Sequence, residues 1–284
     1  MWINRTVKIS EKEDVMSSNQ DKIIEKYKSG FEDRRAELSR AGKMEFHYTE
    51  KLLRRYMKGL PRTIELGCAT GYYAYALADI CGSYTGVDLS PENIAIFEKK
   101  LSEKPLTTAR GEPVKCRVGD ATDLSDIPDG SYDAVLCLGP MYHLPPEERR
   151  KVFAECYRIA SPGALLAFAY ICTTGLVAGA SCFDGLREVY PNECANHCVF
   201  DLGTDDIAPG LFYYTSPDDI ERAAEAAGLE VVADHGLDFF FMASAINAAG
   251  EERMPSFYAL LDRMVDEPRC TGAANHALVV ARKG

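Results

Sequence analysis

From about residue 62 onward, short apolar runs of strand character alternate with amphipathic stretches of helical period, the pattern of a doubly wound α/β sheet with helices on both faces. Strands are predicted at 63–66, 84–88, 114–118, 134–138, 165–171, 229–233 and 277–281. One intervening helix places Val152, Phe153, Cys156, Ile159 and Ala160 on one side and stops at Ser161-Pro162-Gly163. Another has Ser216 as N-cap, Pro217 in the first turn, Asp218 and Asp219 against the positive end of the helix dipole, and Gly228 as its stop. A further helix carries Phe257, Leu260, Leu261 and Met264. Upstream, a helix is expected around Ile23, Ile24 and Tyr27, and a second over 43–58 with Tyr48, Leu52, Leu53 and Tyr56 on one face. Residues 1–60 therefore read as a helical cap segment and 61–284 as the α/β domain. Two connections, 173–215 and 236–272, exceed the usual few residues and are read as lid insertions.

Charge adds an exclusion. The 284 residues carry a net charge of −11 at a pI near 5.0, so the average surface repels polyanions and anionic membrane. The imbalance is uneven: residues 1–60 have 14 basic and 10 acidic side chains. Arg34, Arg35, Arg40, Arg54 and Arg55 form a solvated face or pair with the acidic remainder; guidance of RNA is the alternative. The N-terminus lacks the apolar run of a secretion signal, and the longest apolar stretch, 164–180, is broken by Thr173-Thr174-Gly175 and falls short of the roughly 20 residues a bilayer requires. A cytoplasmic protein without a membrane segment is expected, its ten cysteines mostly reduced core thiols.

Glu65-Leu66-Gly67-Cys68-Ala69-Thr70-Gly71 follows a strand and opens a helix, a turn that brings backbone N–H groups and a helix N-terminus up to a ligand. The next strand ends in Asp88, 17 residues after Gly71, where a carboxylate can accept ribose hydroxyls. The turn lacks the G-x-G-x-x-G of dinucleotide dehydrogenases. With Gly86-Val87-Asp88-Leu89-Ser90-Pro91, Val118-Gly119-Asp120-Ala121 and the run Tyr132 to Leu144 following in order, the chain resembles the class I S-adenosylmethionine-dependent methyltransferases of small-molecule type over about residues 62–282. That resemblance implies a Rossmann-like, mostly parallel sheet closed by a C-terminal antiparallel hairpin, and S-adenosylmethionine as cofactor. It further implies Glu65, Gly67, Cys68, Ala69 and Gly71 around the methionine part and Asp88 on the ribose. Leu89 would pack on adenine, Asp120 and Ala121 meet the adenine edge, and the backbone at Cys137 and Leu138 the amino acid end. Ala69 departs from the family's usual glycine, so either its φ is negative or the loop is displaced.

A methyl donor that is already activated needs an aligned, dry acceptor, and a base only if the acceptor arrives protonated. Tyr142 and His143 follow the fourth strand, at the edge where open α/β sheets bind ligands. His143 is the candidate base and Tyr142 the candidate orienting group; a loop-bridging role is the alternative for His143. The 173–215 insertion mixes Phe183, Tyr190, Phe200, Phe212, Tyr213 and Tyr214 with six carboxylates against one arginine, which suits a cationic acceptor or a plain solvated face. The expected acceptor is a small molecule with an N or O nucleophile, an amine or aromatic metabolite. RNA or protein methylation and cofactor binding without turnover remain alternatives. Cys182, Cys194 and Cys198 with His197 lack a second C-x-x-C pair, so no metal is expected and arsenite methylation is a minor alternative.

Overall fold

The computed structural model describes residues 19–27, 39–182, 192–204 and 210–284. Seven strands form one sheet: β1 Arg62–Leu66, β2 Ser83–Asp88, β3 Lys115–Val118, β4 Tyr132–Cys137, β5 Ala160–Ile171, β6 Leu229–Gly236 and β7 His276–Lys283, in the order β3-β2-β1-β4-β5-β7-β6. The first five run parallel, and β7 lies antiparallel between β5 and β6. The order reverses between β1 and β4, so their connections leave to opposite sides and open a crevice. Leu66 pairs with Val87 on one side and Cys137 on the other, which brings the carboxyl ends of β1, β2 and β4 level.

Alternation along the strands feeds two cores. In β4, Ala134 and Leu136 face one side with Tyr48, Leu52, Leu53 and Phe97, while Val135 and Cys137 face the other with Val152, Phe153, Cys156 and Phe168. The helix Gly42–Tyr56 thus covers one face through the expected stripe, and the helix Pro146–Ile159 covers the other. Ser216 caps the helix Pro217–Ala226, its hydroxyl accepting from the Asp219 N–H at 3.2 Å.

Several boundaries differ from the pattern. The helix after Gly71 is α only over Tyr72–Leu77 and tightens to a 3-10 turn at Ala78–Ile80. The strand β5 begins at Ala160, because Ala160 pairs with Tyr132 before a bulge and Gly163, at φ +75°, absorbs the bend. Leu260 is 46% exposed; the buried side of the helix Met254–Val265 is instead Met254, Leu261 and Val265.

The described arginines of the N-terminal segment are paired. Arg54 bonds Asp79 and Glu50, each at 2.9 Å, Arg55 meets Asp266 at 2.6 Å, and Arg40 bonds Glu251. Arg34 and Arg35 lie outside the described residues, as do Phe183 and Tyr190 of the insertion. Among the described residues no helix is long and apolar enough to cross a membrane.

Candidate active site

The turn after β1 is fastened to its neighbours by its own backbone. Gly67 and Cys68 both donate N–H to the Val87 carbonyl, at 2.8 and 3.1 Å, and the Leu138 N–H reaches the Leu66 carbonyl at 3.2 Å. Gly67 has φ +77°, and a β-carbon there would lie 2.6 Å from Pro140 Cδ, so glycine lets the turns after β1 and β4 touch. Ala69 also has positive φ, +44°, so the negative φ offered as one alternative by the sequence is not adopted and the residue takes the strained conformation. A hydrogen bond compensates it: the Ala69 N–H donates to Asp88 Oδ2 at 2.8 Å.

Asp88 is the knot of the turn region. Its Oδ1 accepts from the Ser90 N–H at 2.9 Å and from Asn93 Nδ2 at 3.1 Å. Burial pushes the carboxyl above its ordinary range, and these donors oppose the shift. Glu65, fully buried at the end of β1, accepts the Tyr84 O–H at 2.6 Å. Burial pushes it up to about 8, against the Tyr84 hydrogen bond and with the help of the Asp88 charge. Asp120, after β3, takes the Thr122 N–H and hydroxyl at 2.8 Å on one oxygen and Gln20 Nε2 at 2.6 Å on the other.

One cavity at the carboxyl edge of the sheet joins these groups. Glu65, Gly67, Cys68, Ala69, Asp88, Leu89, Asp120, Ala121, Leu138, Tyr142 and His143 all line it. Gly71 and Cys137 do not. Gly71, at φ +87°, caps the helix Tyr72–Leu77 against the Phe97 ring, and the fully buried Cys137 belongs to the core beneath the sheet.

The 3-10 turn Pro140–His143 presents Tyr142 and His143 to the same cavity. His143 Nδ1 lies 2.8 Å from the Leu211 carbonyl, which can only accept, so Nδ1 carries the hydrogen and the basic lone pair belongs to Nε2. Tyr142 donates its hydroxyl to the Leu138 carbonyl at 3.3 Å, and its own carbonyl accepts the Tyr213 N–H at 2.8 Å. Behind them, the Arg149 side chain bonds the Met141 and Leu144 carbonyls, at 2.8 and 2.9 Å. Burial lowers that guanidinium to about 10. Residues 211–214 thereby strap the insertion onto this turn, yet none of the insertion's described residues lines the cavity.

The opposite wall comes mainly from the N-terminal cap segment, through residues the sequence pattern did not single out for a site. Gln20 and Ile23 from the helix Asn19–Tyr27, Glu45 and Phe46 from the helix Gly42–Tyr56, and Tyr72 and Tyr73 after the glycine turn all line the cavity. The available signal was an aromatic residue, Phe46, off the buried stripe of its own helix. Also unforeseen is a buried pair at the same sheet edge: Asp238 accepts the His276 N–H at 2.6 Å and lies 3.0 Å from His276 Nδ1, with the His276 ring 6.2 Å from that of Tyr142. His197 pairs with Asp201 at 2.6 Å, and Cys182 and Cys194 are exposed.

An open, doubly wound sheet places this crevice at its switch point, where α/β proteins of this architecture bind ligands. Residues 64–168 match the family model described as methyltransferase domain. A ubiquinone biosynthesis O-methyltransferase of Methylococcus capsulatus is 26% identical over 178 residues, 63% of this chain and 67% of that protein. Among solved structures, a SAM-dependent methyltransferase of Methanosarcina mazei superposes with TM-score 0.55 at 16% identity, covering 82% of this chain and 96% of its own. The magnesium protoporphyrin IX methyltransferase of Synechocystis PCC 6803, with SAH bound, gives 0.53 at 15% identity, covering 86% and 83%. The chain is thus a methyltransferase that uses S-adenosylmethionine, and its fold is similar to that of the class I enzymes of this kind.

Proposed function

We propose that the enzyme methylates an N or O nucleophile of a small molecule, with the acceptor entering between Tyr142–His143 and the N-terminal helices. The observation that carries this reading is the single cavity shared by the β1 and β2 turns, the turn after β4, and Gln20, Ile23, Glu45 and Phe46. Its wall holds Glu45, Asp88 and Asp120, beside a Glu65 that burial keeps mostly protonated near neutral pH, and, among the described residues, no lysine or arginine. That charge suits a cofactor whose sulfonium and ammonium outweigh its carboxylate, and opposes a nucleic-acid backbone. The O-methyltransferase name of the relatives favours a hydroxyl among the two nucleophiles.

In this reading the turn Gly67–Ala69 surrounds the methionine part of the cofactor with Glu65 behind it, and the Leu138 backbone meets its amino acid end. Asp88 takes the ribose hydroxyls, Leu89 packs on adenine, and Asp120 and Ala121 meet the adenine edge. The bound cofactor supplies a methyl group that needs no further activation. The chain's own work is to orient the acceptor, exclude water and, for a protonated acceptor, take the proton on His143 Nε2 while Tyr142 fixes the acceptor's angle.

The test incubates the purified protein with radiolabelled S-adenosylmethionine and pools of amines, phenols, thiols and RNA. Label is expected in an amine or phenol. Label in RNA alone, with steep salt dependence, overturns the reading. His143→Asn keeps a donor for the Leu211 carbonyl but no base, so turnover should drop by roughly 10² to 10⁴ with cofactor affinity unchanged.

A further inference from the structure

A carboxyl group stands on an interior strand of the sheet, in a place that packing alone would fill with an apolar side chain. Glu65 is 1% exposed, and its strand partners, Gly86 on β2 and Leu136 on β4, bring it no charge. The buried Tyr84 donates its hydroxyl to Glu65 Oε2 at 2.6 Å. Oε1 takes no donor among the described residues, and Glu65 lines the cavity.

The titratable groups that act on Glu65 are Tyr84 and Asp88 from β2, Cys68 from its own turn, and Cys81 after the 3-10 turn Ala78–Ile80. All of these are neutral or anionic, and among the described residues no lysine, arginine or histidine joins them. A buried carboxylate needs a counterion or several donors, whereas here the chain supplies one hydroxyl and a second acid. The cofactor-free protein therefore holds the neutral acid, in line with a carboxyl pushed up to about 8. Holding the Tyr84 hydroxyl does not require an acid, since a neutral acceptor serves at lower cost. What an acid adds is the capacity to become an anion when a cation arrives.

We propose that Glu65 sheds its proton to solvent as the cofactor binds and then faces the cofactor's cationic group as a carboxylate, so that the site selects ligands by positive charge at the methionine end. The proposal rests on the cofactor placement given above and deepens it. The carboxyl O–H bond breaks, the proton leaves to the buffer, and Tyr84 keeps its hydrogen bond to Oε2. Two cations can draw the proton off: the ammonium, shared by S-adenosylmethionine and SAH, and the sulfonium, present in the first alone. The ligands of the test separate them.

Calorimetry of the full-length protein at pH 7, in buffers of different ionisation enthalpy, counts the protons released with SAH, with S-adenosylmethionine and with 5′-methylthioadenosine, which carries neither cation. Roughly 0.5 to 1 proton is expected with SAH and none with 5′-methylthioadenosine, and SAH affinity should rise by up to about tenfold per unit between about pH 6 and 7.5. Glu65→Gln still accepts from Tyr84; it should release under about 0.2 proton and keep SAH affinity within about 2-fold over that range. Tyr84→Phe removes the carboxylate's donor, so it should keep the proton release and carry the pH dependence to higher pH. Release with S-adenosylmethionine but not with SAH supports the proposal and names the sulfonium as the cation. Release with neither, or the same release from Glu65→Gln, overturns it. A protein that binds neither form refutes the cofactor placement itself, and the proposal falls with it.

Discussion

At the residue scale, two side chains carry unusual conformational or protonic states. Ala69 holds φ +44° where a β-carbon crowds the following carbonyl, a cost on the order of 1 kcal/mol. Ala69→Gly relieves it but enlarges the unfolded ensemble, so a gain of up to about 1 kcal/mol is expected by chemical denaturation. The departure from glycine was legible in the sequence; the sign of φ was not, because it depends on Asp88 pulling the Ala69 N–H from another strand. Glu65 binds its proton more tightly folded than unfolded, with its carboxyl pushed up to about 8. Between about pH 4.5 and 8 the native state therefore holds more protons, and stability falls as pH rises through that window. Asp234, pushed up to about 7 by burial, slopes the same way. Denaturation midpoints at pH 5 and pH 8 should thus differ less in Glu65→Gln than in the unmodified protein.

Among elements, the glycine turn, β2 and the helix Pro91–Glu103 are joined through one carboxylate. Asp88 was read from its place at the end of a strand as a ribose acceptor, and it lines the cavity. Its three donors, from Ala69, Ser90 and Asn93, could not be read, since they converge only when the turn and the helix are folded together. Asp88→Ala should consequently cost roughly 2 to 4 kcal/mol of stability as well as weakening cofactor binding by about 1.5 to 3 kcal/mol, read by denaturation and calorimetry. Asp88→Asn can face only one side with an oxygen and should fall between the two. The strand-to-strand register sets two expected cofactor neighbours apart: Leu138 lines the cavity because it follows the last residue of β4, whereas the Cys137 side chain points into the core one step earlier in the alternation.

For the whole molecule, the N-terminal segment decides how closed the cavity is. Gln20 bonds Asp120 across 100 residues of sequence, and Ile23 lines the same wall. Removing residues 1–38 leaves Arg40 and the buried stripe from Met44 to Leu53, so the core should remain folded and bind SAH within about 10-fold. Methyl transfer should drop by at least about 10-fold as water enters. Equal turnover by the truncated enzyme would show that the segment is no wall. By itself the sequence determined the strand and helix alternation, the glycine turn and the acidic residue ending β2, because these follow from local periodicity and from spacing within single turns, while the cofactor class came from the resemblance of four motifs to a known family. Only the tertiary structure shows which residues of the N-terminal segment line the cavity. Phe46 and Tyr73 are 27 residues apart in sequence and unremarked as a pair in it, yet their rings stack at 4.9 Å. The described part of the insertion packs against Tyr142 and His143 without lining the cavity. Contacts between distant segments arise from how helices dock on a sheet, and composition carries no information about which faces then meet.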